Sequence, residues 1–176
     1  MANHDALTNL PNRNQLLVRL PQAICLARRQ KRPLFLLFID LDCFKSVNDL
    51  HGHAVGDEVL IQVGKRLNSA VRTADSVCRL GGDEFVILLE SASSLHGAIM
   101  VAERAIELLN QPVDVHGLCC SIGASIGIAA YPDHAATADE LLRDVQVDVF
   151  QYIIRPGAIV PKANITNVYI RLHITR

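Results

Sequence analysis

The chain opens on turn chemistry, "LTNLPNRN", and then places Leu16, Leu17, Leu20, Ile24 and Ala27 at helical spacing before a basic exit, "ARRQKRP". Pro21 lies inside that pattern and marks a place for a kink. Pro33 to Asp42, "PLFLLFIDLD", is short, continuously apolar and ends in acids, which predicts a buried strand with polar residues at its mouth. A helical turn around "CFKSVNDL", a loop "HGHAVGD" and a helix from about Glu58 to Val71 follow, with Val59, Leu60, Val63 and Leu67 on one helix face. "SVCRL" and "EFVILLE" flank Gly81 and Gly82, and a Gly-Gly link between two apolar runs predicts a tight β-hairpin with positive φ angles. A helix "LHGAIMVAERAIELLN", strands "VDVHG" and "CSIGASIGIAAY", and a capped helix "PDHAATADELLRDVQVDVFQ" starting near Thr137 or Ala138 complete the pattern. Helices and strands that alternate without a repeat predict one α+β domain (an α/β sandwich), a mostly antiparallel central sheet flanked by helices. From about Tyr152 the tail "YIIRPGAIVPKANITNVYIRLHITR" is β-branched and twice interrupted by proline, and reads as a strand-like appendage or a poorly ordered end.

Composition narrows the function classes. A chain of 176 residues, half of them apolar, closes the core of one domain. Seventeen basic against eighteen acidic residues give no wide positive field, which argues against a nonspecific nucleic-acid binder and requires any anionic ligand to have a local site. Cys25, Cys43, Cys78, Cys119 and Cys120 show neither metal-ligand spacing nor a disulfide framework, and read as reduced, mostly core thiols. Cys119 and Cys120 are adjacent at a strand start, so they cannot both face the core. The opening residues are polar and no apolar stretch has membrane-spanning length, so the expectation is a cytoplasmic domain. A Met directly before motif-like residues also fits a piece of a longer protein, which a separate segment would be free to tether to a membrane.

Two acidic clusters sit at strand ends: Asp40 and Asp42 after "LFLLFI", and Asp83 and Glu84 after the glycines. If the strands are neighbours, Asp40 and Asp83 converge. Crowded carboxylates repel unless a cation lies between them, and hard oxygen donors suit Mg²⁺ or Mn²⁺. The plainer alternative is that the acids are solvated turn residues. Glycines beside acids also let backbone approach a phosphate. Between the clusters, Lys45 and Asn48 are three apart and share a helical face, Lys45 as a point charge for phosphate and Asn48 as donor and acceptor. Asp57 adds two acceptor oxygens, and the combination suits guanine, which presents two adjacent donors to one carboxylate. Capping of the next helix is the other reading of Asn48 and Asp57. His51 and His53 lack a third soft ligand and read as shaping the loop.

"DALTNLPNRN", "FIDLDCFKSVND", "HGHAVGDEVL", "RLGGDEF" and "ASIGIAAYP" stand in one order and together resemble the GGDEF family, the diguanylate cyclases, from about His4 to Asp144. The resemblance implies a GGDEF domain over residues 1–151 with a fold similar to the nucleotide cyclase and polymerase palm. It also implies condensation of two GTP into cyclic di-GMP with release of two pyrophosphates. Carried over residue by residue, Asp40 and Asp83 bind two Mg²⁺ or Mn²⁺ ions, with the Leu41 carbonyl as a further ligand and Glu84 beside them. Asn48 and Asp57 hold guanine, Lys45 and the backbone around Phe44 reach the phosphates, and Gly81 and Gly82 leave room for them. Asp83 is placed as general base or metal-bridging carboxylate. Each domain holds one GTP, so a transient two-fold homodimer completes the active site. Arg72 to Asp75, "RTAD", matches the family's RxxD product-inhibition motif, with Arg104 as a helper; an ordinary exposed helix end is the alternative.

After "ADELLRD" the resemblance ends. Phe150 stands where the family has a tyrosine, Ile153 where it has a lysine, and Pro156 and Gly157 where it has glycine and arginine. That lysine and arginine contact the triphosphate in the family, and Arg155 and Lys162 are the basic residues left nearby. The resemblance therefore implies an intact catalytic centre with weak or absent turnover, and the atypical tail (residues 152–176) also reads as non-native. The alternative function is a domain that binds GTP or cyclic di-GMP and regulates an attached sensory or phosphodiesterase partner domain.

Overall fold

Asn12 ends the polar opening segment by capping a helix: its side-chain oxygen accepts from the Gln15 N–H at 3.1 Å, and α1 runs from Arg13 to Gln30. The helix continues through Pro21. The carbonyl four residues earlier, which proline leaves without its helical donor, belongs to solvent-exposed Leu17, where water can take the donor's place. The computed structural model describes residues 3–133, 137–138, 152–155 and 158–161. After α1 come β1 (Leu34–Asp42), α2 (Phe44–His51), α3 (His53–Ala70), β2 (Ser76–Gly81), β3 (Glu84–Leu89), α4 (Leu95–Leu109), β4 (Val113–Val115), β5 (Leu118–Cys120), β6 (Gly123–Tyr131), β7 (Tyr152–Arg155) and β8 (Ala158–Pro161).

The main sheet has the order β2-β3-β1-β6-β7-β8, with every neighbouring pair antiparallel, and β4 and β5 form a separate ribbon. Side-chain alternation divides the core in two. Phe35, Leu37, Ile39 and Leu41 of β1 join the larger cluster, with Val59, Val63 and Leu67 of α3 and Ala98, Ala102 and Ala105 of α4. Leu34, Leu36 and Phe38 point the other way, onto Leu16, Leu20 and Ile24 of α1. The predicted mostly antiparallel α+β sandwich is the observed fold.

Four local expectations change. Gly52 alone, at φ 83°, separates α2 from α3, so most of the predicted "HGHAVGD" loop is helix and α3 starts at His53 rather than near Glu58. Asp57 is thus inside α3, whose N-cap is Gly52 with no side-chain cap, and the capping alternative for Asp57 falls away. In the hairpin, Gly81 pairs with Glu84 after a register shift following Arg79, so the two connecting residues are Gly82 and Asp83 rather than the two glycines. Only Cys78 and Cys120 are buried; Cys25, Cys43 and Cys119 are exposed, and the last splits from Cys120 as alternation requires. The expected helix after Thr137 lies outside the described residues beyond Ala138, as does the tail after Pro161. Residues 152–155 and 158–161 extend the main sheet, and Ile154 is buried in the larger cluster.

Candidate functional site

The face of the sheet that α1 covers changes character at one end. Phe38 of β1 lies opposite Val86 and Gly127, but two residues on, Asp40 lies opposite Glu84 of β3 and Ser125 of β6. The apolar rows end where α1 begins, and the next row is polar. Asp42, on the same face, accepts from the Ser125 hydroxyl at 3.2 and 3.4 Å. Asp83 sits at the tip of the turn, tied to β1 by the Leu41 N–H, which donates to its carbonyl at 3.4 Å. The sheet thus brings both sequence-predicted acidic clusters together.

Their proximity carries an electrostatic cost. Burial, with Asp83 and Asp42 adding repulsion, pushes Asp40 up to about 6. Burial, then Asp40 and Asp83, pushes Glu84 up to about 7, against a smaller pull from Arg13 at the start of α1. Among the described residues no three His, Cys, Asp or Glu side chains form a ready-made cage. The half-buried oxygens of Asp40, Asp83 and Glu84 nevertheless fit a hard divalent cation, because such an ion offsets both the burial and the repulsion that disfavour their charges.

The sign of the resulting pH dependence is fixed. Between about pH 4 and 7 the folded state holds protons on Asp40 and Glu84 that the unfolded chain has released, so stability falls as pH rises through that window. Without divalent ions the unfolding temperature is expected to drop between pH 5 and 8. Mg²⁺ is expected to restore a few degrees at pH 8 and much less at pH 5. Thermal scans with Asp40→Asn beside the parent test this; an equal Mg²⁺ effect at both pH values, or in the variant, rejects it.

A second group of predicted residues lies on α2 and α3. Phe44 opens α2 and is buried, Lys45 beside it is exposed, and helix geometry leaves the first N–H groups of α2 without partners in its own ladder. Cys43, just before, has φ 65°, and its carbonyl accepts from the Ser46 and Val47 N–H groups at 3.0 and 3.3 Å. Asn48 is half-buried against Gly56, with exposed Asp57 the next residue along α3. Gly81 and Gly82, at φ 148° and 52°, border open space, since nothing lies within 4 Å of where a Cβ would stand.

Sequence reasoning missed the residue that wires the turn. Arg79 is buried; its Nε and Nη2 donate to the Gly82 carbonyl at 3.2 and 2.8 Å, and its Nη1 pairs with Asp5 at 2.8 Å. Asp5 also accepts from the Thr8 N–H and hydroxyl at 2.8 and 2.7 Å, and the Arg79 N–H donates to the Pro11 carbonyl at 2.9 Å. A charged residue between Cys78 and the glycines was the available signal.

The RxxD residues lie at the other end of the hairpin, roughly 20 Å from the turn at about 3.3 Å per residue. Arg72 and Arg104 are exposed, and Arg104 Nη2 donates to the Ser69 carbonyl near the end of α3. Asp75 is buried. One of its oxygens accepts from the Glu90 and Ser91 N–H groups at 3.0 and 2.9 Å, the other from the Ser91 hydroxyl at 2.8 Å and the Arg72 N–H at 3.2 Å. These four bonds engage both oxygens of the carboxylate, about as many donors as it has lone pairs.

A palm-type antiparallel sheet that presents clustered carboxylates on its middle strands, beside a helix start and a glycine turn, defines the class. The chain belongs to the GGDEF family: residues 2–151 match the family described as "Diguanylate cyclase, GGDEF domain". It is 45% identical over 152 residues to the bifunctional diguanylate cyclase/cyclic di-GMP phosphodiesterase MucR of Pseudomonas aeruginosa, covering 86% of this chain and 22% of that protein. To the diguanylate cyclase TpbB of the same organism it is 42% identical over 158 residues, 89% of this chain and 36% of TpbB. The chain therefore spans about a fifth to a third of these relatives. Among solved structures, the GGDEF domain of TpbB gives a TM-score of 0.78 at 43% identity, covering 80% of this chain and 83% of that one. A sensory box/GGDEF protein from Caulobacter crescentus gives 0.79 at 40% identity, covering 84% and 96%. No helix among the described residues is long and apolar enough to cross a membrane.

Proposed function

We propose that this domain condenses two GTP into cyclic di-GMP and two pyrophosphates, working as a transient two-fold homodimer. The observation that supports this best is the meeting of Asp40 on β1, Glu84 on β3 and Asp83 in the β2–β3 turn, next to the start of α2. Lys45 and the N–H groups opening α2 receive the triphosphate, as a point charge and as donors at a helix N-terminus. Asn48 and Asp57 hold the guanine edge. Gly81 and Gly82 allow close approach of the phosphates. Asp40, Asp83, Glu84 and the Leu41 carbonyl would hold Mg²⁺ or Mn²⁺, which when bound neutralises charge at the α-phosphate and lowers the pKa of the attacking 3′-hydroxyl. Asp83 accepts the hydroxyl proton or bridges the cations. One domain positions one GTP, so the attacking hydroxyl and the attacked phosphate come from facing copies.

Incubation with GTP and Mg²⁺ tests the reading. Cyclic di-GMP is expected to form slowly, at a rate rising with the square of protein concentration while the protein is mostly monomeric. Absence of both product and GTP binding at high protein concentration rejects it. Slowness is expected because the family's lysine and arginine positions hold Ile153 and Gly157 here.

A second reading has its own support. The chain is 33% identical over 86% of its length to the cyclic di-GMP phosphodiesterase NbdA of Pseudomonas aeruginosa. On that reading the domain binds GTP or cyclic di-GMP and regulates an attached phosphodiesterase domain; GTP binding without any product favours it.

A further inference from the structure

Gly56 is the fourth residue of α3, buried where α3 meets α2. A Cβ built on it would overlap Asn48 Oδ1 outright and stand 3.0 Å from Asn48 Cγ and 3.4 Å from Phe44 Cζ. The Asn48 side chain therefore occupies the space that any other residue at position 56 would fill.

The backbone offers no alternative route of relief. The Asn48 carbonyl accepts from the Gly52 N–H at 2.9 Å, and the Gly52 carbonyl accepts from the Gly56 N–H at 3.2 Å. Those two bonds tie the end of α2 to the first turn of α3. Phe44, buried in the larger core cluster, closes the space on another side. With both backbones held and the ring buried, the Asn48 amide, the far end of a flexible side chain, is the group that yields. The φ at Gly56 is not in the left-handed region, so conformational freedom is not why glycine stands there.

We propose that Gly56 is a positioning residue for nucleotide selection: by lacking a Cβ it sets the rotamer of Asn48, and through Asn48 it sets preference for guanine. The proposal rests on the reading of Asn48 as a base contact. It predicts an unusual separation of effects. Alanine is a better helix former than glycine, and the atom it displaces is the end of a side chain, so Gly56→Ala keeps its fold while losing selectivity.

The test uses Gly56→Ala, Asn48→Ala and the double variant in the full chain. Gly56→Ala is expected to weaken GTP binding about tenfold or more, to leave ATP binding unchanged, and to unfold at the parent's temperature or slightly above. In the Asn48→Ala background the same change is expected to add nothing, which a merely structural role for Gly56 does not predict. A second measurement needs no nucleotide: the Asn48 side-chain amide resonances are expected to shift in Gly56→Ala. Unchanged resonances, or an undiminished preference for GTP over ATP in Gly56→Ala, overturn the proposal. If Asn48→Ala binds GTP as the parent does, the base-contact reading fails instead, and the resonances still decide whether Gly56 sets the rotamer.

Discussion

Asp83→Ala is expected to remain folded and to lose cyclic di-GMP formation on the order of a thousandfold, to the level of an assay blank. Asp83 lies at a turn tip outside both core clusters, and the bond its backbone makes is the acceptance from the Leu41 N–H, which alanine keeps. The fold therefore has little to lose. The acids left behind lose a repelling neighbour but stay buried, so Asp40 and Glu84 are expected to come down only part of the way and the metal-free protein to gain some stability at pH 8. Stabilisation by Mg²⁺ is expected to weaken in the same variant, whereas GTP affinity measured without divalent ions is expected to persist, because Asn48 and Asp57 are untouched. Turnover within tenfold of the parent would remove Asp83 from the chemistry.

The largest stability effect belongs to a residue assigned by sequence to ligand binding. Asp75→Ala strips a buried carboxylate that accepts four hydrogen bonds, leaving the Glu90, Ser91 and Arg72 N–H groups without it. Charge-assisted bonds to a buried carboxylate make the loss about 3 kcal/mol, a drop of roughly 10 °C in unfolding temperature for a chain of this size. Arg72→Ala, by contrast, changes an exposed side chain and is expected to leave the unfolding temperature within a degree or two. If the exposed arginines carry the product site, Arg72→Ala still loses affinity for cyclic di-GMP by calorimetric titration. Equal affinity in variant and parent would take the product site away from this end of the hairpin. Division of labour within "RTAD" follows: the arginine faces outward and the aspartate holds the chain after β3 to the chain before β2.

Much of the fold and of the site is legible in the amino-acid sequence. The apolar run ending in Asp40 and Asp42 reads as a central strand because β1 is covered on both faces, and the glycines before Asp83 read as a hairpin because two apolar runs flank them. What escaped was local. The shift of the turn to Gly82 and Asp83 depends on a register irregularity after Arg79, which no alternation pattern encodes. The early start of α3 depends on one glycine turning the chain without a loop. Gly56 escaped for a different reason: its importance lies in an atom it lacks, and the side chain that fills the gap comes from another helix. Arg79 and Asp5 are 74 positions apart, and only the path of the opening segment past β2 brings them together.

The placement of the acids has a consequence for how the protein opens. Asp40, Glu84 and Ser125 stand on β1, β3 and β6, consecutive strands at the heart of the sheet whose remaining rows carry apolar layers on both faces. Segments of that kind lose protection only with the whole fold, whereas the peripheral helix ends and connecting turns fray first. Asp40 and Glu84 are thus expected on the slowest-exchanging part of the molecule, with Asp83 alone of the repelling groups on a turn. Lys45 and Asp57 stand instead on exposed turns of α2 and α3, where hydrogen exchange is expected to run faster than at Asp40 and Glu84.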